Sequence, residues 1–94
     1  MRVRWLRKAL ADLDEETKRA AGKDSAAAVA LFAHIRARLD SLADFPASGR
    51  PGRIMQTREL LIDGYPFIVP YRVMDGKEVQ ILRVFQTSRK PPTS

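Results

Sequence analysis

The hydrophobic positions of this chain change their spacing twice, from alternating to helical and back to alternating. The segment Arg2 to Trp5 alternates between polar and apolar side chains, as a short strand does. From Leu6 the apolar positions recur every three or four residues, and Gly22 is placed to end the run after about four turns in a left-handed cap. The pattern therefore predicts a short N-terminal strand followed by an amphipathic helix.

A second stripe at helical spacing follows almost at once. Asp24 or Ser25 is placed to cap its first free backbone N–H groups. The stripe consists of Ala28, Leu31, Phe32, Ile35, Leu39 and Leu42. We expect this helix to end at Phe45-Pro46, because the residue before a proline is pushed out of the helical region. The short Gly22-Lys23 connection predicts that the two helices pack as an antiparallel hairpin.

Alternating positions return after an irregular stretch from Ala47 to Gln56. The predicted strands are Thr57–Ile62, Tyr65–Met74 and Lys77–Phe85. Asp63-Gly64 and Asp75-Gly76 are tight-turn dipeptides, so the three strands should form an antiparallel meander. Pro70 cannot donate a ladder hydrogen bond, which predicts an edge position or a bulge around it.

The order of these elements predicts an α+β fold. A short N-terminal strand and an antiparallel helical hairpin should pack with a small antiparallel β-sheet. We expect residues 1–94 to form a single domain, because no linker, repeat or low-complexity tract divides them. The last predicted strand has apolar side chains on both faces, which favours a central position in the sheet.

The composition excludes several classes of protein. The chain has no cysteine, which rules out a disulfide framework, a thiol nucleophile and thiolate metal sites. Its N-terminus lacks the apolar run of a signal peptide, and the longest apolar stretch, Ala26 to Ala33, is far shorter than the ~20 residues that span a bilayer. A soluble cytoplasmic protein without a membrane partner is expected.

The net charge of +6 is concentrated in the second half of the chain. Residues 46–94 hold eight basic and four acidic side chains, whereas residues 1–45 hold nine and seven. A positive field of this kind favours encounters with polyanions or acidic proteins. A basic balance that only keeps a small protein soluble is the alternative interpretation.

Candidate catalytic groups are few. The single histidine, His34, lies within the second predicted helix, and no nucleotide-binding or metal-ligand motif is present. We therefore predict no catalytic residue, no metal and no cofactor. The arginines of the second half can grip phosphates or carboxylates but transfer protons poorly. A nuclease built on this chain would need Tyr65, Tyr71, Glu59 or a lysine as its acid or base.

An ordered set of short segments resembles the RelE/ParE toxin superfamily over Val3 to Arg89. The segments are Trp5 with Ala9 and Asp12-Leu13, Leu42 with Pro46, Gly49 to Arg53, Arg58 to Leu60, Gly64 to Pro66, Tyr71 to Val73 and Ile81 to Val84. The resemblance implies a helical hairpin packed against a small antiparallel sheet. It also implies the toxin half of a bacterial type II toxin–antitoxin pair.

The superfamily has two branches that act differently. RelE-like toxins cut messenger RNA on the ribosome, with help from a Tyr or His near the C-terminus, but this chain has Gln86 where that histidine is frequent. The chain resembles more closely the ParE-like toxins, which block DNA gyrase by binding. A ribosome-dependent mRNA endoribonuclease and a non-toxic relative that still binds an antitoxin are the alternatives.

The ParE-like resemblance implies two kinds of contact surface. Candidate target contacts are Arg50, Arg53, Arg58, Arg83, Arg89 and Lys90. The implied partner is a cognate antitoxin in a hetero-oligomer, with a ribbon-helix-helix or similar DNA-binding N-terminus and an acidic C-terminal segment. We expect its groove along the hairpin, near Leu6, Leu10, Leu13 and Phe32. Solvated rim charges and ordinary core packing are the alternative roles for these two sets.

Overall fold

The computed structural model describes residues 1–87, in which two helices pack against one face of a β-sheet. The helices are α1 (Arg7–Ala21) and α2 (Ser25–Asp40), and a 3₁₀ turn follows at Ser41–Ala43. The strands are β1 (Arg2–Trp5), β2 (Arg50–Pro51), β3 (Arg58–Ile62), β4 (Phe67–Met74), β5 (Glu78–Ile81) and β6 (Phe85–Gln86). The predicted α+β fold class is confirmed. Within the described residues, neither helix combines the length and the apolar character that crossing a bilayer requires.

The helical hairpin forms as predicted, with two local differences. Gly22, expected in a left-handed cap, has φ −64° and ψ −22°, which is right-handed helical geometry. Asp24 is the cap of α2, since its carboxylate accepts hydrogen bonds from the backbone N–H groups of Ala26 and Ala27 at 3.0 and 3.2 Å. The α-helix ends at Asp40 rather than at Phe45, and the tighter 3₁₀ turn continues the chain. That turn still buries Leu42, so the apolar stripe outlasts the α-helix.

The sheet has the strand order β1-β5-β4-β3-β2. β3, β4 and β5 form the predicted antiparallel meander, and β5 lies inside the sheet, between β4 and β1. β1 runs parallel to β5, so the sheet is mixed rather than purely antiparallel. A parallel pair needs a long crossover connection, and the helical hairpin provides the first part of it.

A one-residue bulge interrupts the strand that was predicted over residues 77–85. Tyr71 pairs with Ile81 and Ile68 pairs with Phe85, so three steps along β4 face four steps along the partner. The extra residue falls beside Pro70, which has no N–H to donate and accepts a hydrogen bond from Leu82 at 2.9 Å. Of the two arrangements predicted for this proline, the structure has the bulge and not the edge position, and the predicted alternation of faces fails beyond it.

The turn between β4 and β5 has the backbone geometry that its sequence predicts. Asp75 and Gly76 have φ angles of 52° and 68°, both in the left-handed region. Two successive positive φ angles fit the right-handed twist of neighbouring strands, and Asp-Gly adopts them readily. This turn sets the register that pairs Arg72 with Gln80.

Tyr71 ties the loop before β2 to the core. Its side chain is fully buried, and its hydroxyl donates to the Pro46 carbonyl at 2.7 Å and accepts from the Gly49 N–H at 2.8 Å. A Cβ atom at Gly49 would lie 2.7 Å from the Tyr71 ring and 2.9 Å from the Glu59 carbonyl oxygen. The close approach therefore requires glycine, and it fixes where the chain enters β2 and presents Arg50.

Candidate functional site

An apolar groove runs along the helical hairpin, as the sequence predicts. It has a volume of about 290 Å³. Its lining consists of Trp5, Leu10, Leu13, Asp14, Thr17, Phe32 and Arg36. We call this surface the hairpin groove. Leu10 and Phe32 keep 52% and 41% of their surface exposed, so the groove presents apolar surface to solvent.

The four residues predicted for the antitoxin contact have different environments. Leu10 and Phe32 form the exposed apolar part of the hairpin groove. Leu13 is only 4% exposed and forms part of the hydrophobic core, so it can present little surface to a partner. Leu6 is half-buried and lies outside the groove lining. The three-to-four spacing identified the stripe but could not separate its exposed edge from its buried centre.

The rim of the hairpin groove carries charges of both signs. Asp14 on α1 forms an ion pair with Lys18 at 3.0 Å, and Arg36 on α2 lies 3.8 Å from Asp40. All four side chains are more than half exposed, so these pairs stabilise the helices weakly.

Arg83 makes a bidentate contact with Asp12 and is not a free surface charge. Its Nε and Nη2 donate to the Asp12 carboxylate at 2.7 and 3.1 Å, and the same carboxylate accepts from the Val84 N–H at 2.9 Å. The hydrogen bond to Asp12 raises the pKa of Arg83, partial burial opposes that effect, and the Asp12 charge adds to it. Arg83 therefore ties α1 to the bulged segment, and this contact explains its position better than target binding does.

The arginines of the β2–β3 region surround one carboxylate. Glu59 is buried, with Arg50 Nη2 at 3.5 Å and Arg53 Nε at 4.0 Å from its oxygens, and it accepts from the Arg53 N–H at 3.3 Å. Arg58 instead donates to the Gly49 carbonyl at 2.8 Å. Arg50 and Arg53 keep more than half of their side-chain surface exposed. They remain available to a partner, whereas Arg58 mainly supports the loop.

Two of the predicted target contacts, Arg89 and Lys90, lie outside the described residues. The structure also exposes basic side chains that are not among those predicted target contacts, namely Arg2 and Arg4 on β1 and Arg72 on β4. The alternation in Arg2 to Trp5 was a signal that the two β1 arginines share a face. Nothing in the pattern could indicate that Arg72 shares that face too, because this depends on the parallel pairing of β1 with β5.

The groups considered for proton transfer do not form a relay within the described residues. The Tyr71 hydroxyl is buried and bonded to backbone groups on both sides. Glu59 lies between two arginines, and the His34 ring stacks on Tyr65 with centroids 4.9 Å apart. His34 Nε2 is buried without a hydrogen-bond partner in this part of the chain, so histidine and carboxylate are not coupled here.

A family model defines the class of this protein. The model described as "ParE toxin of type II toxin-antitoxin system, parDE" matches residues 3–91. Because the match covers nearly the whole chain, the protein belongs to the ParE toxin family of type II toxin–antitoxin systems. The resemblance found in the sequence, including its ParE-like branch, is confirmed.

Two individual relatives agree with this assignment. The chain is 43% identical over 91 residues to "Putative toxin Y4kP" of Sinorhizobium fredii (strain NBRC 101917 / NGR234), covering 97% of this chain and 93% of the relative. The solved structure "Chromosomal ParDE TA system from P. aeruginosa" matches with a TM-score of 0.82 and 32% identity, covering 92% of this chain and 95% of that one. Both relatives match over nearly their whole length.

Proposed function

We propose that this ParE-family toxin arrests growth by binding DNA gyrase and trapping it with cleaved DNA, without itself breaking bonds. The observation that supports this most strongly is the engagement of two of its candidate acids and bases, Tyr71 and Glu59. The Tyr71 hydroxyl is hydrogen-bonded to two backbone groups of the loop, and Glu59 is buried between Arg50 and Arg53. A ribonuclease needs a proton donor and acceptor within reach of its substrate, whereas an inhibitor needs only a complementary surface.

A supercoiling assay with purified gyrase tests this proposal. The full-length toxin should slow supercoiling of relaxed plasmid and increase the amount of linear, gyrase-cleaved DNA. A synthetic messenger RNA translated in the presence of the toxin should stay intact. Normal supercoiling at every toxin concentration, together with cleaved messenger RNA, would contradict the proposal and favour the RelE-like alternative.

We further propose that the hairpin groove is the seat of the cognate antitoxin. Leu10 and Phe32 offer apolar surface to one face of a short segment that orders on binding. The toxin carries a net charge of +6, which favours an acidic C-terminal segment in the partner. A ribbon-helix-helix or similar N-terminus would complete the antitoxin. The toxin would form a hetero-oligomer with the antitoxin and a toxic complex with gyrase, both in the cytoplasm.

Single substitutions in the hairpin groove test the antitoxin contact. Phe32→Asp places a carboxylate against the apolar floor and should weaken the complex by at least about 30-fold, equivalent to roughly 2 kcal/mol. Leu61→Asp is the matched control, because Leu61 lies on β3, is 48% exposed against 41% for Phe32, and does not line the groove. The affinities should be measured by calorimetry with the protein encoded beside this gene. Equal affinities for the two variants would show that the antitoxin binds elsewhere.

A further inference from the structure

The face of the sheet opposite the helices carries an aligned set of polar side chains. Arg4 on β1 pairs with Gln80 on β5, and Gln80 pairs with Arg72 on β4. The next row joins Arg2, Glu78 and Met74 in the same way. The alternate residues of these strands, including Val3, Tyr71, Val79 and Ile81, pack into the core. Side chains of successive strand residues point to opposite faces, so both rows face away from the helices.

We call Arg2, Arg4, Arg72 and Gln80 the arginine face. Arg72 Nε donates to Gln80 Oε1 at 3.0 Å, and Gln80 Nε2 donates to Glu78 Oε2 at 2.9 Å. Gln80 therefore orients the Arg72 guanidinium without neutralising it. Arg4 Nη1 lies 3.9 Å from Glu78, and its side chain is 58% exposed. A contact this long and this exposed contributes little and leaves the guanidinium available.

The two rows of this face carry more positive than negative charge. Three arginines on the two rows face one carboxylate, Glu78. By contrast, Arg83 is matched by Asp12. Among the described residues, the arginine face therefore has unbalanced positive charge on a regular, rigid support. Arg4 and Arg72 lie on strands two positions apart, which corresponds to about 10 Å across the sheet.

We propose that the arginine face binds the sugar-phosphate backbone of duplex DNA. Guanidinium groups are suited to phosphate because their planar N–H donors match two phosphate oxygens at once. Positioning contacts of this kind require charge and spacing, and they carry no base sequence information. The face therefore adds a sequence-independent affinity for DNA.

The surroundings of the arginine face favour a duplex over the other polyanions. Proteins that hold single-stranded nucleic acid use aromatic side chains on which bases stack. The two rows, Arg4–Gln80–Arg72 and Arg2–Glu78–Met74, contain no aromatic residue. Phe85, farther along the sheet, is covered by the Arg83 guanidinium at 4.9 Å. An acidic peptide would need apolar pockets for its other side chains, and the hairpin groove on the helices provides those instead.

This inference deepens the proposed function, and its cellular meaning rests on that function. Gyrase holds duplex DNA, so a toxin that contacts both enzyme and DNA would stabilise the cleaved complex more than one that contacts the enzyme alone. DNA binding by the toxin is measured without gyrase. If the toxin binds DNA but does not inhibit gyrase, the proposed function is wrong. If it inhibits gyrase but does not bind DNA, only the proposed DNA binding is wrong.

The test is fluorescence anisotropy of the full-length toxin with a short labelled duplex over a range of salt concentrations. Each phosphate contact contributes about −0.9 to the slope of log affinity against log salt. Arg4→Gln and Arg72→Gln should each make that slope less negative by about 0.9, so the affinity lost between ~50 and ~200 mM salt shrinks by about 3.5-fold. Glu78→Gln removes the one opposing charge of the two rows and should tighten binding.

Two further variants separate charge at this face from net charge and from folding. Lys23→Gln removes one positive charge from the exposed connection between the helices and should leave the slope unchanged. Arg72→Lys keeps the charge and should retain the slope while weakening binding, because lysine lacks the planar pair of donors. Circular dichroism of each variant checks that the fold is intact.

Three results would overturn the inference. The first is a salt slope that is the same for Arg4→Gln, Arg72→Gln and the wild type. The second is tighter binding to a single strand of the same sequence, which would assign the face to single-stranded nucleic acid. The third is that polyglutamate displaces the labelled duplex as well as unlabelled duplex DNA does at the same concentration of charge. That result would assign the arginine face to acidic proteins.

Discussion

The substitution Tyr71→Phe removes one hydroxyl group and should lower the Tm of this protein substantially. The hydroxyl makes two buried hydrogen bonds, to the Pro46 carbonyl and from the Gly49 N–H. Two such bonds contribute about 2 kcal/mol together, and leaving the buried Gly49 N–H unpaired raises the cost, so we expect a loss of about 2–4 kcal/mol. For a domain of this size that corresponds to a fall in Tm of about 10–25 °C.

The matched control for this prediction is Tyr65→Phe. Tyr65 is half-buried, and its hydroxyl makes no hydrogen bond within residues 1–87. Its loss should change the free energy of unfolding by less than about 0.5 kcal/mol. Both variants keep the ring, so packing is preserved and the comparison isolates the hydroxyl. Thermal and urea unfolding, followed by circular dichroism, provide the measurement.

A second measurement on Tyr71→Phe separates local anchoring from global stability. Well below the Tm, trypsin should cut after Arg53 faster in the variant than in the wild type, because the preceding loop is no longer held. The bond after Arg50 precedes a proline and resists the enzyme. Stability within about 0.5 kcal/mol of the wild type, or an unchanged rate of cleavage, would refute the anchoring role of Tyr71.

Three further predictions concern contacts that hold the candidate surfaces in place. Asp12→Asn removes the charge of a carboxylate that accepts three hydrogen bonds, so the free energy of unfolding, measured in urea, should fall by about 2–3 kcal/mol. Asp14→Asn removes one exposed ion pair and should lower it by less than about 0.5 kcal/mol. Gly49→Ala should destabilise the protein by about 1–3 kcal/mol, because the added Cβ overlaps the Tyr71 ring. Gly22 has helical geometry and room for a Cβ, so Gly22→Ala should stabilise the protein by about 0.4–1 kcal/mol. Asp24→Ala removes the cap of α2 and should cost about 1 kcal/mol by thermal unfolding. Equal effects within either pair, or no effect at Asp24, would contradict these assignments.

The elements with a regular period were predictable from the sequence, and so was the bulge. Helical spacing located both helices, and the Asp75-Gly76 dipeptide located a turn whose φ angles are both positive. Pro70 predicted the interruption because the missing N–H is a local property of one residue. Patterns of this kind depend only on neighbours in the chain, so a single sequence contains them.

The contacts that decide the roles of the arginines were not predictable. Arg83 was expected to continue the alternation of the last strand, but the bulge turns it toward Asp12, 71 residues away along the chain. Likewise, the parallel pairing of β1 places Arg4 beside Gln80, and nothing in either segment specifies that register. One extra residue reverses every following side chain, so the bulge itself was the signal that the direction of Arg83 was open.

The hairpin groove illustrates an intermediate case. The sequence located the apolar stripes that contain Leu10 and Leu13 on α1 and Phe32 on α2, and two of these three side chains are exposed. The third, Leu13, faces the core, because a stripe on a helix that covers a sheet has a buried centre and exposed edges. The width of the covered strip depends on the neighbouring helix and sheet, which a periodicity does not describe.

The central claim, that this toxin acts by binding rather than by cleavage, is tested most directly in cells that express it. Plasmid topology and the ends of messenger RNAs should be measured in the same culture as growth stops. The account predicts relaxed and gyrase-cleaved plasmid with intact transcripts. Transcripts cut within their coding sequences, in cells whose plasmid keeps its normal supercoiling, would contradict it.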